Sequence, residues 1–448
     1  LVAGNVDLGP ATTLKVEVTP DAARGPFPVL RYTGTLTGTA ANLIIDYPPS
    51  YRRAELAFTP GLITLDIGTK ELVWRKGTTW NSGTDMCWGT AGISRITDFF
   101  FKGDSVVFDD TGSGTNNNTV IGGLSGVSPS SVLVNNNNQT YNIGTTIIGP
   151  CSITKSGTGI LRLSSSSNSY TGGTFINEGR VETRNQGTSL GTGPVVVATG
   201  ATLAGDAQIP GSVTVHGTVD PFRSDGHATL TTGPTVITGT YMCDLDPLTN
   251  DRLSVIGDLN LSGATLTLNP SRPLWVSTTS FIIASYTGNL AGHFSTVNGL
   301  PPGYVVRYRS AEKQIALERA SLSDWAAGFP DLGNPSASGD PDCDGISNLL
   351  EYVLGGNPEV GDPAILPVSS ITDDFYIFRY RRSDASYHHT VQTVQWSTDL
   401  INWNDIQITN QGSATLRIDS NGDGTNNITV SLPRTDEAIF ARLKVTEK

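Results

Sequence analysis

Between Asp340 and Glu351 the chain reads Asp-Pro-Asp-Cys-Asp-Gly-Ile-Ser-Asn-Leu-Leu-Glu. Carboxylates fall on the first, third and fifth positions, as Asp340, Asp342 and Asp344. The seventh position, Ile346, offers a carbonyl; the ninth, Asn348, an amide oxygen; the twelfth, Glu351, a carboxylate able to bind through both oxygens. Gly345 on the sixth permits the sharp turn that wraps an ion. Hard oxygen donors at this spacing suit a hard divalent cation, and the set matches a calcium loop over all twelve positions. The alternative is a solvated acidic linker. No paired loop follows nearby, which argues for one structural site of modest affinity, with a dissociation constant of about 10⁻⁴ M. Its expected work is to stiffen the joint between the segments on either side.

A second stretch, Asp419-Ser-Asn-Gly-Asp-Gly, offers Asp419, Asn421 and Asp423, but its twelfth position is Val430 and apolar alternation resumes at Ile428. A hairpin turn rich in Asn, Asp and Gly explains it as well. Trp74, Trp80 and Trp88 read as core or cap residues, with stacking on a glycan as the alternative. The histidines show no metal spacing, and the adjacent His388 and His389 are expected on opposite faces of a strand. Glu178 and Glu182 are interrupted by Gly179, and Asp244 and Asp246 read as a solvated pair before Pro247. No GxSxG, P-loop or dinucleotide glycine pattern occurs. We expect no catalytic site. Cys87, Cys151, Cys243 and Cys343 lie too far apart for a zinc cluster, and long-range disulfides remain open.

These residues must be positioned by strands. Short apolar pulses recur between turn residues, as in Ile160-Leu-Arg-Leu163, Thr174-Phe-Ile176, Val195-Val-Val197 and Val213-Thr-Val215. None holds helical spacing for a helix's length. Strands this short cannot bury a face alone, but stacked coil on coil they share a continuous core. The chain also repeats itself. Gly4-Asn-Val-Asp-Leu8 resembles Gly257-Asp-Leu-Asn-Leu261, and Tyr32-Thr-Gly-Thr-Leu-Thr-Gly38 matches Tyr286-Thr-Gly-Asn-Leu-Ala-Gly292. Tyr51-Arg-Arg53 loosely matches Tyr304 to Arg307. The first copy lacks the upstream part of the second, so residues 1–68 are expected to be the C-terminal half of a preceding module.

The 448 residues include 50 Gly and only 16% charged residues, with 29 basic against 41 acidic side chains. The net charge of −12 argues against a nucleic-acid partner, which needs a basic stripe. No apolar run is long enough for a helix to insert in a membrane. Exposed Thr, Ser and Asn suit ladders between coils. Residues 69–149 read as a Trp-rich lead-in and 150–320 as the main stack. Residues 321–363 hold the Asp-rich loop with a short helix from Ser347 to Leu354. Residues 364–448 alternate strongly and read as a small antiparallel β-sandwich.

Lys155-Ser-Gly-Thr-Gly-Ile-Leu-Arg-Leu163, Asn168-Ser-Tyr-Thr-Gly-Gly-Thr174, Ile176-Asn-Glu-Gly-Arg-Val181 and Ser189-Leu-Gly-Thr-Gly-Pro-Val195 resemble the autotransporter-associated β-strand repeat. That resemblance implies a right-handed parallel β-solenoid exported from a bacterium. The Asp340–Glu351 loop resembles dockerin-like and thrombospondin-type-3 calcium motifs of secreted bacterial proteins. Ser397 to Trp403 and Phe440 to Leu443 resemble a terminal domain of secreted proteins from Verrucomicrobia-like bacteria. The chain does not end in the membrane barrel of autotransporters. An all-β extracellular protein is expected, secreted or attached to a cell surface. The leading expectation is self-association head to tail into a filament, because half a module could cap a neighbouring copy. The alternatives are a monomeric adhesin that binds glycans or cell-surface components, and a polysaccharide lyase-like enzyme.

Overall fold

A computed structural model describes residues 2–10, 12–15, 26–46, 54–92, 95–112, 118–122, 126–222, 226–246, 248–271, 280–406, 414–434 and 439–448. The contact pattern divides the chain into two compact units. One comprises residues 1–243, 251–267 and 284–297, the other residues 244–250, 268–283 and 298–448.

The first unit is a parallel β-solenoid. One ladder runs from Glu71–Trp74 through Ser105–Asp109, Ser131–Asn135, Ile153–Ser156, Thr174–Ile176 and Val195–Val197. It continues through Val213–Val215, Thr235–Ile237 and Leu259–Asn260 to Leu290–Ala291. A second parallel ladder joins Thr140–Ile143, Ile160–Leu163, Arg180–Thr183, Thr202–Gly205 and Thr218–Asp220. A third joins Gln208–Ile209, Thr229–Thr232 and Arg252–Val255. Ile153 pairs with Thr174, Thr174 with Val195, and Val195 with Val213, so each coil spends about twenty residues. The apolar pulses are the strands. In Val195–Val197 the outer two valines are buried and the middle one is not, as the two-residue period requires.

Polar groups inside the stack are satisfied between coils. The buried Asn168 accepts from the Ile147 N–H at 2.8 Å and donates to the Ser189 carbonyl at 2.7 Å. The Lys155 side chain is fully buried. Its ammonium donates to the carbonyls of Ser156 (2.8 Å) and Gly157 (2.5 Å), and at 3.5 Å to that of Glu178. Desolvation pushes its pKa down to about 8. On the second ladder, burial favours the neutral form of Glu182, but Arg162 and Arg180 at 2.8 and 3.0 Å hold its pKa below the ordinary value.

At one end, Trp88–Gly89 lies antiparallel to Glu71–Trp74 and stops the parallel ladder. Trp74, Trp80 and Trp88 are buried there with Phe100 and Phe108. The indole pairs 74–88 and 80–88 meet edge to face at 5.0 and 5.5 Å. The three tryptophans are therefore a plug. The glycan-stacking alternative is corrected: a ring 0–1% exposed offers no face to a sugar.

The internal repeat is structural. Val6–Asp7 pairs in parallel with Leu36–Thr37, as Leu259–Asn260 pairs with Leu290–Ala291. The Gly34 N–H donates to the Gly4 carbonyl at 2.9 Å, and the Gly288 N–H to that of Gly257 at 2.8 Å. Asn5 Oδ1 accepts from the Thr35 N–H, and Asp258 Oδ1 from the Asn289 N–H. A Cβ on Gly34 or Gly288 would stand 2.2 Å from that oxygen in either copy, which is why both positions are glycine. Each copy ends in an antiparallel hairpin, Ala54–Thr59 with Leu62–Ile67 and Tyr304–Arg309 with Gln314–Arg319. The match at Tyr51 to Arg53 lies outside the described residues.

Among the described residues the second unit carries three short α-helices: α1 (Leu322–Ala326), α2 (Asn348–Leu354) and α3 (Asp384–His389). Two antiparallel sheets follow. Phe375–Ser383 lies between Val368–Ile371 and Thr425–Pro433, which also pairs with Thr415–Ser420. Thr390–Ser397 lies between Asn404–Asp405 and Phe440–Glu447. Tyr376, Phe378, Ile428 and Val430 of the first sheet share a core with Val394 of the second and with Val353 and Leu354 of α2. His388 and His389 lie in α3, not on a strand. Ser383 caps that helix by accepting from the Ser386 N–H.

Candidate metal centre

The loop before α2 is shaped by its own amides. Asp340 Oδ2 accepts from the Gly345 N–H at 3.1 Å, Asp342 Oδ1 from that of Asp344 at 3.3 Å, and Asp344 Oδ1 from that of Ile346 at 2.8 Å. Asp344 Oδ2 takes the Asp362 N–H at 2.9 Å, which ties the loop to the chain beyond α2. Gly345 sits at φ 88°, where a side chain would be strained. Cys343 sits at φ 61° with its thiol exposed.

These bonds leave one set of oxygens over. Asp340, Asp342 and Asp344 bring carboxylate oxygens within 4.8 Å of one another. Asp340 Oδ1 and Asp342 Oδ2 are buried without a hydrogen-bond partner. Helix α2 then presents Asn348 and Glu351, three residues apart and so on one face, 0% and 1% exposed. The Asn348 amide donates to the carbonyls of Asn334 (2.6 Å) and Ser336 (2.8 Å), which fixes its rotamer. Its Oδ1 and both Glu351 carboxylate oxygens are buried and unpartnered. Five orphaned oxygens on four side chains are costly in a folded interior. A divalent cation bound there would satisfy them together. Burial, and then the charges of Asp342, Asp344 and Asp340, push Glu351 up to about 7.

Sequence spacing thus identified the side chains that the fold brings together. It missed their supports: the carbonyls of Asn334 and Ser336, the amide of Asp362, and Gly356, whose missing Cβ would lie 3.2 Å from Glu351 Oε1. Backbone carbonyls and amides carry no residue signature, so no pattern could reveal those contacts. Opposite the loop, Val353 and Leu354 enter the core of the β-sheets. Tyr352 donates to the Ala320 carbonyl at 2.5 Å. One helix therefore links the acidic loop, the solenoid-type hairpin ending at Arg319 and the C-terminal sheets.

Asp419, Asn421 and Asp423 lie at a hairpin between Thr415–Ser420 and Thr425–Pro433. Asp419 pairs with Arg417 and Asp423 with Arg381, at 2.8 and 2.7 Å. Asn421 Oδ1 accepts from Asn427. The side chains are committed to protein partners, so the hairpin reading replaces the second metal loop. None of the four cysteines forms a disulfide among the described residues, and Cys87, Cys151 and Cys243 are buried.

Residues 153–182 match the family model described as the passenger-associated-transport-repeat. They span Ile153–Ser156 to the strand Arg180–Thr183, about one coil of the stack. The chain is also similar to the adhesin BmaC autotransporter of Brucella suis biovar 1 (strain 1330), at 26% identity over 343 residues. That alignment covers 68% of this chain and 9% of the relative, so the chain spans under a tenth of that protein's length. A parallel solenoid bearing an autotransporter-associated repeat and similar to part of an autotransporter adhesin is an extracellular protein, secreted or attached to a cell surface.

Proposed function

We propose that the chain is a non-enzymatic, adhesin-type surface scaffold whose solenoid forms the displayed body. The observation that carries this is the unbroken parallel ladder from Glu71–Trp74 to Leu290–Ala291, built from the repeat matched in residues 153–182. Such a stack makes a stiff surface at low sequence cost. Its partners are cell-surface components. Expression in its native cell, followed by antibody labelling and protease shaving of intact cells, tests it. Labelling confined to permeabilised cells would sink the reading.

Calcium in the Asp340–Glu351 loop fits as a structural clamp of the second unit. The five unpartnered buried oxygens support it. Titration calorimetry with calcium should give one site per chain, and no heat above dilution would count against it.

Head-to-tail self-association is a second reading. Val6–Asp7 pairs with Leu36–Thr37 as Leu259–Asn260 pairs with Leu290–Ala291, so one copy of the repeat offers a neighbouring molecule the same rungs that the other offers within the chain. Electron microscopy and sedimentation with and without residues 1–67 decide the matter. Filaments lost on deletion support the contact; filaments unchanged, or monomers in both, remove it.

A further inference from the structure

A cavity of about 520 Å³ lies between the two C-terminal sheets, large enough for a small organic ligand. Its walls mix two chemistries. Val391 and Leu416, 48% and 40% exposed, supply an apolar floor with Val394. Arg382, Lys448 and Tyr387 supply a cationic and aromatic side.

Arg382 is the unusual member. It is 6% exposed, and its Nε is buried without a hydrogen-bond partner. No carboxylate forms an ion pair with it among the described residues. Its guanidinium lies 4.7 Å from the centre of the Tyr387 ring. The neighbouring Arg381 takes Asp423, and the nearby Asp384 is engaged by Asn426. The Asp384 carboxylate lies close enough to favour the charged form of Arg382, but no direct ion pair forms, and a buried guanidinium without one is expensive. Desolvation correspondingly lowers its pKa. The Lys448 ammonium donates to the Tyr387 carbonyl at 3.1 Å and adds a second positive charge. Gln392 donates to Thr390 Oγ1 at 2.9 Å, and its Oε1 is buried and unpartnered, available to a ligand donor. The Asp405 carboxylate in the lining is held by Gln395 at 2.8 Å.

We propose that this cavity binds a small carboxylate carried on an apolar body, with the anionic end on Arg382 and the apolar end over Val391 and Leu416. A planar guanidinium matches a carboxylate through two parallel hydrogen bonds. A doubly charged phosphate fits less well, because Asp405 shares the lining. The apolar floor excludes a bare inorganic anion as the preferred occupant. The site is independent of the surface-display reading, since purified protein tests it without any cell. Two sources share the chemistry: a free aliphatic acid, or the C-terminal residue of a peptide.

The test is calorimetric titration of the full chain with hexanoate and with N-acetyl-leucine, against neutral hexanol and N-acetylleucinamide. At least one acid should bind tenfold or more tightly than its neutral counterpart, and the preferred acid identifies the source. Arg382→Met should abolish that difference while leaving the thermal midpoint unchanged or raised. If that variant fails to fold, Lys448→Gln at the exposed rim carries the test: it should weaken the acid severalfold and leave the neutral compound unaffected. Equal affinity for acid and neutral pairs, absence of binding by both acids, or an acid preference that survives substitution overturns the proposal.

Discussion

Two buried charged side chains, Glu351 and Lys155, show how differently a fold can treat an ionisable group. Glu351 has both oxygens unpartnered beside three aspartates. At about 1 mM calcium and a dissociation constant of about 10⁻⁴ M, linkage adds about 1.4 kcal/mol of stability. Glu351→Gln should lose most of the calcium-induced rise in thermal midpoint, and an undiminished rise would show that the ion sits elsewhere. Lys155 is instead caged by carbonyls, with its pKa pushed down to about 8. Between that value and the ordinary one near 10.4, the unfolded chain holds a proton that the folded chain has released. Stability therefore rises with pH across that window. The gain is on the order of 1–3 kcal/mol. Lys155→Met should flatten the rise, measured as urea midpoints at neutral and alkaline pH. The loop's oxygen-bearing residues were legible because a calcium loop would demand oxygen at fixed offsets. The burial of Lys155 was not, because a Lys between apolar pulses reads as an outward residue until the neighbouring coil supplies its acceptors.

At the scale of elements, the strands were legible and their neighbours were not. Val195–Val197 and Val213–Val215 announce themselves by alternation. That Val195 pairs with Val213 depends on coil length, which the turns between them set without an apolar signature. The duplicated termini were readable because Gly34 and Gly288 are forced by approaching side-chain oxygens. His388 and His389 were misread because Ser383 caps a helix of six residues, too short to show a period. The aromatic plug makes a quantitative case. Trp80 is fully buried and meets Trp88, Phe100 and Phe108 at 5.3 to 5.6 Å. Trp80→Ala should cost about 3–5 kcal/mol, read as a lowered denaturation midpoint. A loss below about 1 kcal/mol, the range of ordinary surface changes, would show that the plug contributes little.

For the whole molecule, the two compact units suggest two unfolding events, because two-state behaviour is a property of single domains. The proposed calcium loop, Asp340 to Glu351, lies wholly in the second unit. Differential scanning calorimetry should therefore resolve one transition that calcium raises and one that it leaves in place. A single transition that moves as a whole would show that the units unfold together. Composition had anticipated the all-β class and the low charge. It could not anticipate that the short helix α2 would be enclosed by a hairpin, an acidic loop and two sheets.

The in-register ladder has a consequence for size. Ile153–Ser156 and Val195–Val197 bury alternate residues in the same phase, with Thr174–Ile176 between them. Removing the coil that begins at Thr174 would bring two compatible rungs together, shortening the stack by about 4.8 Å. The solenoid is thus a ruler graduated in coils. Its reach can change by one graduation at a time, leaving the plug at one end and the terminal hairpin unaltered.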